Sequence, residues 1–211
     1  MEGSCIKGTA FQAVVDDLQQ LAKTGELSEA EAGKHLREPD LELLRSGILP
    51  GSWYPIDSYR RMLALLTAKQ GGRNREAYLR RRGVAAAERI LKMGLYTHLE
   101  ASLRAAERNP TRWVEQVGRV MTTLSPALFN FSTWEFVAGD ASDTSGRQLF
   151  TLEVAGARDL PDETVTLLQG FIESLFTPFT DAAISVRGHR PTPDTVVFEG
   201  SSDGVPRRHF R

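Results

Sequence analysis

The chain has 211 residues, of which 41% are hydrophobic and 25% are charged, the composition of an ordinary globular protein. Its 26 basic and 27 acidic residues give a formal net charge of −1, which excludes the broad positive field that non-specific nucleic-acid binding requires. One cysteine, Cys5, excludes an internal disulfide, and no apolar run reaches the ~20 residues of a membrane-spanning helix. We therefore expect a cytoplasmic protein that does not bind nucleic acid and does not insert into a membrane.

The first residues of the chain predict two helices. Apolar residues recur at helical spacing over residues 6–23, which predicts the first helix. Ser28 and Glu31 have the spacing of a capping box, and this box predicts a second helix over residues 29–37. Pro39 then predicts a loop, because proline removes a backbone donor and turns its predecessor away from the helix.

Two aromatic residues and a proline precede the next predicted helix. Residues 47–51 are rich in glycine and proline and extend the loop. Trp53 and Tyr54 follow, and then Pro55, a residue type suited to the first turn of a helix. We therefore predict a helix over residues 55–69, with aromatic rings at its start that form a pocket wall or a packed hinge.

Three more helices complete the predicted N-terminal half. Asn74 is a suitable cap for a helix that continues to Ile90. Leucines recur every fourth residue in the segment 95–107, which predicts another helix. Pro110 then starts a helix that continues to about residue 124. The N-terminal part of the chain thus predicts about six helices.

The periodicity of the sequence changes to two in the C-terminal part. Aromatic residues alternate over 129–136 and apolar residues alternate over 150–154, which predicts two strands joined by a polar hairpin connection. A helix that begins at Pro161 and is ended by Pro178 follows. Residues 182–187 and 194–199 predict two further strands, joined by a turn at residues 188–191.

The predicted fold class is α+β. A helical half, residues 1–125, packs on an antiparallel sheet with the order strand, strand, helix, strand, strand, residues 126–200. We expect the two halves to share one core. Residues 201–211 are predicted to form a flexible basic tail.

An aromatic helix start followed by a strand-strand-helix-strand-strand half is a combination found in known proteins. The residues that carry it are Trp53, Tyr54, Pro55, Tyr59, the helix from Pro161 with Gly170, and the strand ending at Val196, Val197 and Phe198. The combination resembles the haem-NO-binding and vinyl-reductase-type ligand-binding superfamily. More closely, it is similar to an uncharacterised paralogous family of myxobacteria. The resemblance implies a small-molecule sensor or an assembly module more than an enzyme.

The resemblance also bears on haem. Haem-binding members carry a Tyr-x-Ser-x-Arg motif at the end of the second strand, which holds the haem propionates. The corresponding residues here run from Val154 to Arg158, and only the arginine matches. His98 is the candidate for the proximal haem ligand. Because two of the three clamp residues are missing, we predict no cofactor.

The sequence lacks the motifs of common catalytic and metal sites. It contains no glycine-rich phosphate loop and no Gly-x-Ser-x-Gly turn between a predicted strand and a predicted helix, so we predict that the protein is not an enzyme. Its four histidines and Cys5 lack the spacing of metal ligands, and we predict no metal site.

Two groups of residues are candidates for binding. The first would line an apolar ligand pocket between the two halves, and core packing is the alternative role for its aromatic members. Its members are Trp53, Tyr54, Tyr59, Trp113, Trp134 and, as a carboxylate anchor, Arg158. The second is a basic stretch, which is either a solvated face or a docking surface for a partner. Its members are Arg60, Arg61, Arg73, Arg75, Arg80, Arg81 and Arg82.

These features lead to three functional hypotheses. The first is a non-enzymatic signalling or regulatory module that binds an apolar small molecule between its two halves. The second is a protein-protein interaction or dimerisation adaptor, whose core is filled by side chains and which forms a homodimer and docks a protein partner. The third is a haem-based gas sensor with His98 as the iron ligand.

Overall fold

Seven α-helices and six β-strands make up the part of the chain that the structure describes. The structure is a computed structural model, and it describes residues 3–92, 113–139, 148–177 and 184–202. The elements in chain order are β1 (Cys5–Lys7), α1 (Gly8–Lys23), α2 (Glu29–His35), α3 (Glu38–Ser46), β2 (Trp53–Pro55), α4 (Ile56–Gln70), α5 (Arg75–Lys92), α6 (Trp113–Leu128), β3 (Thr133–Ala138), β4 (Gln148–Ala155), a 3₁₀ turn (Ala157–Asp159), α7 (Asp162–Phe176), β5 (Ile184–Thr192) and β6 (Thr195–Ser202). The predicted α+β class is confirmed.

The first predicted helix is confirmed as α1. Its apolar residues lie on one face, and Phe11, Val15 and Leu18 are fully buried there. The second predicted helix is confirmed as α2, where the backbone N–H of Glu31 donates to the Ser28 hydroxyl over 3.2 Å. The spacing of apolar residues and the cap are local signals, which explains why both helices could be read from the sequence.

The aromatic segment predicted as a helix start is instead a short strand. β2 pairs antiparallel with β1, so that Ile6 lies opposite Tyr54 and Lys7 lies opposite Trp53. The helix begins only after this pairing, at Ile56. The prediction placed Pro55 inside the helix because the pairing partner of β2 lies far away in the sequence.

A helix, α3, occupies part of the predicted loop. Pro39 lies in its first turn, where a missing backbone N–H has no consequence. The Asp40 carboxylate accepts a hydrogen bond from the Arg37 backbone N–H over 2.9 Å and so caps the helix. The same carboxylate is fully buried and pairs with Arg61, whose Nη2 lies 2.8 Å from Oδ1. These contacts favour the helix despite the proline.

The C-terminal sheet has four antiparallel strands in the order β3-β4-β6-β5. Leu152 of β4 lies opposite Phe136 of β3 and Phe198 of β6, so apolar residues line one face across the sheet. Two predicted bounds were wrong. The first strand begins at Thr133, and Phe129 instead forms an isolated bridge with Ile6. The last hairpin turns at residues 193–194 because β5 runs on to residue 192.

The helices α5 and α7 approach each other closely. A Cβ atom on Gly83 would collide with the carbonyl oxygen of Leu167, and one on Gly170 would collide with that of Arg80. Glycine therefore allows the two backbones to touch at this crossing. The ion pair between Arg80 and Glu173, at 2.9 Å, lies beside it.

The hydrophobic core is continuous from the helices to the sheet, with Phe11, Met62, Leu124, Leu152 and Phe198 all fully buried in one cluster. The predicted division between residues 125 and 126 falls within α6. Among the described residues, none of the helices has the length and apolar character that crossing a membrane requires.

Candidate functional site

A cavity of about 320 Å³ lies between α1, α5 and α7. Four alanines on the facing sides of α1 and α5 leave space that larger side chains would fill. They are Ala10, Ala13, Ala85 and Ala86. Leu167, Leu168 and Phe171 of α7 supply apolar surface on the third side. The cavity is therefore walled mainly by hydrocarbon.

One charged side chain lies deep in this wall. The guanidinium of Arg82 pairs with the carboxylate of Asp17, and its Nη2 donates to the carbonyl oxygen of Ala13 over 3.3 Å. Only 14% of the Arg82 side chain is exposed. Burial is the largest single influence on the pKa of Arg82 and opposes its charge, but the hydrogen bonds and charges of Asp17 and Tyr78 together outweigh burial and raise this pKa. Its Nε is buried and has no hydrogen-bond partner among the described residues.

Two hydroxyl groups complete the polar part of the lining. Burial raises the pKa of the Tyr59 phenol, and the nearby Thr164 hydroxyl and Arg82 charge oppose this shift. The phenol is therefore protonated at neutral pH. The Thr164 Oγ1 is buried, yet no described residue meets it with hydrogen-bond geometry.

Of the predicted pocket residues, Tyr59 lines this cavity. Trp53 and Tyr54 belong to β2 and have other contacts. The Lys7 ammonium lies 4.6 Å from the centre of the Trp53 ring, a cation–π contact. The Tyr54 hydroxyl accepts a hydrogen bond from the Leu49 backbone N–H over 2.8 Å. These contacts hold the β2 segment in place.

The other two tryptophans are not part of the described cavity lining. Trp134 is buried, stacks on Phe129 with ring centres 6.2 Å apart, and donates from Nε1 to the Ser132 hydroxyl over 3.0 Å. Trp113 begins α6, and its side chain lies outside the described residues. His98 and the helix predicted around it also lie outside the described residues. Their predicted roles stay predictions.

Arg158 lies on the surface, away from the cavity lining. Three quarters of its side chain is exposed, and its Nε is 3.9 Å from the Asp194 carboxylate. It borders an open depression together with Arg60 and Arg190. Arg190 donates to the carbonyl oxygen of Leu160 over 2.7 Å, so part of this positive charge is bound to the backbone.

The predicted basic stretch is divided by ion pairs. Four of its seven arginines contact carboxylates. These pairs are Arg60 with Asp57, Arg61 with Asp40, Arg80 with Glu173 and Arg82 with Asp17. Arg73, Arg75 and Arg81 are exposed and form no ion pair with any described residue. Only these three remain candidates for docking a partner.

Sequence reasoning did not identify the cavity residues other than Tyr59. The α1 and α5 walls consist of alanines, and Arg82 was assigned to a basic surface. Its partner Asp17 lies 65 residues away in the sequence, so the pair has no local signature. The alanines at 85 and 86, one turn after Arg82 on the same helix, are the signal that could have suggested a space there.

No protein-family model matches the chain, and no curated protein sequence matches it. Solved structures match over nearly all of it. A mutant of the T. tengcongensis H-NOX has a TM-score of 0.57 at 17% identity and covers 94% of this chain and 97% of its own. An oxygen-binding H-NOX domain related to soluble guanylate cyclases has a TM-score of 0.55 at 16% identity, with 94% of each chain covered.

A third structure concerns haem redox potential modulated by protein-induced porphyrin distortion. It has a TM-score of 0.56 at 16% identity and covers 94% of this chain and all of its own. Identities this low establish similarity of fold alone. The closer resemblance to a myxobacterial paralogous family stays a prediction. The chain therefore has an H-NOX-like α+β fold.

Proposed function

We propose that this protein is a non-enzymatic sensor module of a signalling system, and that it binds an apolar small molecule in the cavity between α1, α5 and α7. The observation that carries the proposal is the alanine-walled cavity of about 320 Å³. This volume is within the range of roughly 300–1,000 Å³ typical of small-molecule sites. The similarity in fold to an oxygen-binding H-NOX domain supports a sensor.

The energy of burial supports a small apolar ligand. An apolar cavity excludes water and can take up an apolar guest, because its walls regain the dispersion contacts that empty space lacks. A ligand the size of an aromatic side chain buries about 150–250 Å². At ~25 cal/mol per Å² this contributes about 4–6 kcal/mol before the cost of association. Shape alone therefore gives weak binding, and the polar groups of the wall matter for affinity.

Among the described residues, the cavity lining offers no suitable ligand for haem iron. Haem iron needs an axial ligand, and the described lining residues include no histidine, cysteine or methionine. Tyr59 could ligate iron only as a phenolate, which its raised pKa disfavours. Arg158, the residue that the family resemblance assigns to the propionates, has a side chain that is three quarters exposed to solvent. We assign no haem chemistry to these residues.

Binding can be tested with the neutral fluorescent probe N-phenyl-1-naphthylamine. Wild-type protein should bind it with enhanced fluorescence. Ala86→Phe should weaken the binding at least tenfold, because a phenyl ring would fill the space next to α1. Ala64→Phe is the matched control, since Ala64 is exposed on α4 and outside the cavity lining. We expect this control to bind the probe as the wild type does.

Two further measurements separate the three hypotheses. Native mass spectrometry of freshly purified protein should show a copurifying adduct of low mass. Bare protein that also fails to bind the probe would contradict the proposal and favour an adaptor. A Soret band after haem loading that disappears in His98→Ala would instead support the gas sensor.

A protein partner completes the proposed signalling role. Arg73, Arg75 and Arg81 are exposed around the start of α5 and lack ion-pair partners among the described residues. Each can form a charge-assisted hydrogen bond with an acidic partner. Replacing all three by serine should remove a salt-sensitive interaction in pull-down experiments and leave probe binding unchanged. Light scattering of the purified chain tests the predicted homodimer.

A further inference from the structure

Two residues that line the cavity each carry a buried polar atom without a hydrogen-bond partner among the described residues. These atoms are Arg82 Nε and Thr164 Oγ1. Both residues line the cavity, one from α5 and the other from α7. Folded proteins rarely leave buried polar atoms unsatisfied, and an exception calls for an explanation such as a missing bound group.

The hydrogen-bonding chemistry of these two atoms indicates which kind of bound group would satisfy them. The Nε–H of an arginine can only donate a hydrogen bond, whereas a threonine hydroxyl can donate or accept one. An oxygen atom that accepts from both would satisfy them together. The phenol of Tyr59, which lines the same cavity, lies near the Thr164 hydroxyl. The lining therefore offers two polar atoms without partners among the described residues, and apolar side chains supply most of its remaining surface.

The charge of the lining distinguishes an anion from a neutral acceptor. Among the described lining residues, Arg82 and Arg89 are positive and Asp17 is negative, so the sum is 2 − 1 = +1. Asp17 already neutralises Arg82. Arg89 is exposed and forms no ion pair with any described residue. One negative charge on the ligand would balance the site, and hydrogen bonds to charged groups are the stronger ones.

We propose that the ligand is an amphipathic monocarboxylate, whose carboxylate accepts hydrogen bonds from Arg82 and Thr164 while its apolar body lies against the alanines of α1 and α5. This inference rests on the proposed function and adds the chemical class of the ligand. The Arg82 guanidinium supplies the charge-assisted bond through Nε, because its Nη1 and Nη2 already donate to Asp17 and Ala13.

A matched pair of ligands tests this class. 2-Naphthoate and 2-methylnaphthalene have similar shapes, and they differ in a carboxylate against a methyl group. Both should displace N-phenyl-1-naphthylamine from the wild-type protein, and 2-naphthoate should bind at least tenfold more tightly. Equal affinities would overturn the inference but leave the proposed function intact. Failure of both ligands and of the probe would overturn the proposed function itself.

A pair of variants locates the effect. Thr164→Val removes the hydroxyl with little change in shape and should weaken 2-naphthoate binding about tenfold without affecting 2-methylnaphthalene. Thr67→Val is the control, because Thr67 also has a buried hydroxyl without a partner among the described residues, but is not part of the cavity lining. It should leave both affinities unchanged. An equal loss in the two variants would show a structural effect and contradict the proposal.

Arg82→Lys tests the second residue that is proposed to bind the carboxylate of the ligand. Lysine keeps the charge beside Asp17 but lacks the Nε donor, so the tenfold preference for 2-naphthoate should be largely lost while 2-methylnaphthalene still binds. Retention of the full preference would contradict the assigned role of Arg82. Circular dichroism and the binding of 2-methylnaphthalene report whether the variant is folded.

Discussion

The crossing of α5 and α7 makes a sharp prediction about stability. Replacing Gly83 by alanine places a methyl group against the carbonyl oxygen of Leu167, and the main-chain nitrogen of Phe171 is also within 3 Å. Neither obstacle is the end of a flexible side chain. The two helices must therefore move apart or bend, and in doing so they disturb the cavity wall formed by Leu167 and Phe171.

The expected change in the free energy of unfolding has two opposing parts. Alanine in place of glycine inside a helix stabilises by about 1 kcal/mol, since it restricts the unfolded chain. Overpacking costs about 1–3 kcal/mol and sometimes more, and a backbone obstacle favours the upper end. We therefore expect Gly83→Ala to lower the free energy of unfolding by about 2 kcal/mol. Gly170→Ala, which meets the Arg80 carbonyl oxygen, should have a similar effect.

Gly33→Ala provides the matched control. Gly33 lies within α2, is exposed, and has no atom within 4 Å of the position where a Cβ would be. This variant should be more stable than the wild type by about 0.5–1 kcal/mol. Urea unfolding followed by circular dichroism measures all three variants. If Gly83→Ala is as stable as the wild type, or if Gly33→Ala is the less stable of the two, the close crossing is refuted.

The remaining predictions concern single polar groups. Asp40→Asn should cost about 3 kcal/mol, because it breaks the pair between a fully buried carboxylate and Arg61. Burial disfavours the Asp40 charge, but hydrogen bonds from Arg61, the Ser58 hydroxyl and the Arg37 backbone outweigh it, so the pKa of Asp40 is lowered on folding. Because the pKa of Asp40 is lowered, its charge stabilises the fold above pH ~4, and this stabilisation is lost as the pH falls through the pKa of Asp40 in the folded protein. Urea titrations at pH 3 and pH 7 should show this loss of stability in the wild type and not in Asp40→Asn. Thr164→Val should raise the free energy of unfolding by about 1 kcal/mol by removing a buried hydroxyl without a partner among the described residues, and a decrease would contradict its unsatisfied state. Arg45→Ala should leave the urea midpoint unchanged, because its two ion pairs are exposed; a clear decrease would show that they matter.

The sequence predicted those elements whose signals are local. The helix α1 and the strand β4 carry their apolar periodicity within a single segment, and both were found. β2 was missed because its three residues become a strand only by pairing with β1. α3 was missed for a related reason, since its stabilising ion pair joins Asp40 to a residue on α4.

The candidate site was harder to predict than the fold. A cavity is a consequence of side chains that are too small to fill the space between elements, and no pattern within one segment reports how far apart two elements lie. The large aromatic residues were chosen as pocket walls, yet Trp134 packs in the core and Tyr54 against Phe11. Large side chains fill space more often than they border it. Alanines facing each other on separate helices, such as Ala13 and Ala86, are the better indicator of a cavity.

The helix α7 connects the cavity with the sheet. Its first turns carry Thr164 and Leu167 on the cavity wall, and its last turn carries Glu173, whose carboxylate accepts from the Val186 backbone N–H of β5 over 2.9 Å. Because α5 and α7 touch through their backbones at Gly83 and Gly170, side-chain rotation cannot absorb a displacement between them. Under the proposed function, a ligand that contacts Leu167 therefore acts on the same rigid helix that holds the edge strand of the sheet. This arrangement gives a binding event in the cavity a direct physical route to the surface of the protein.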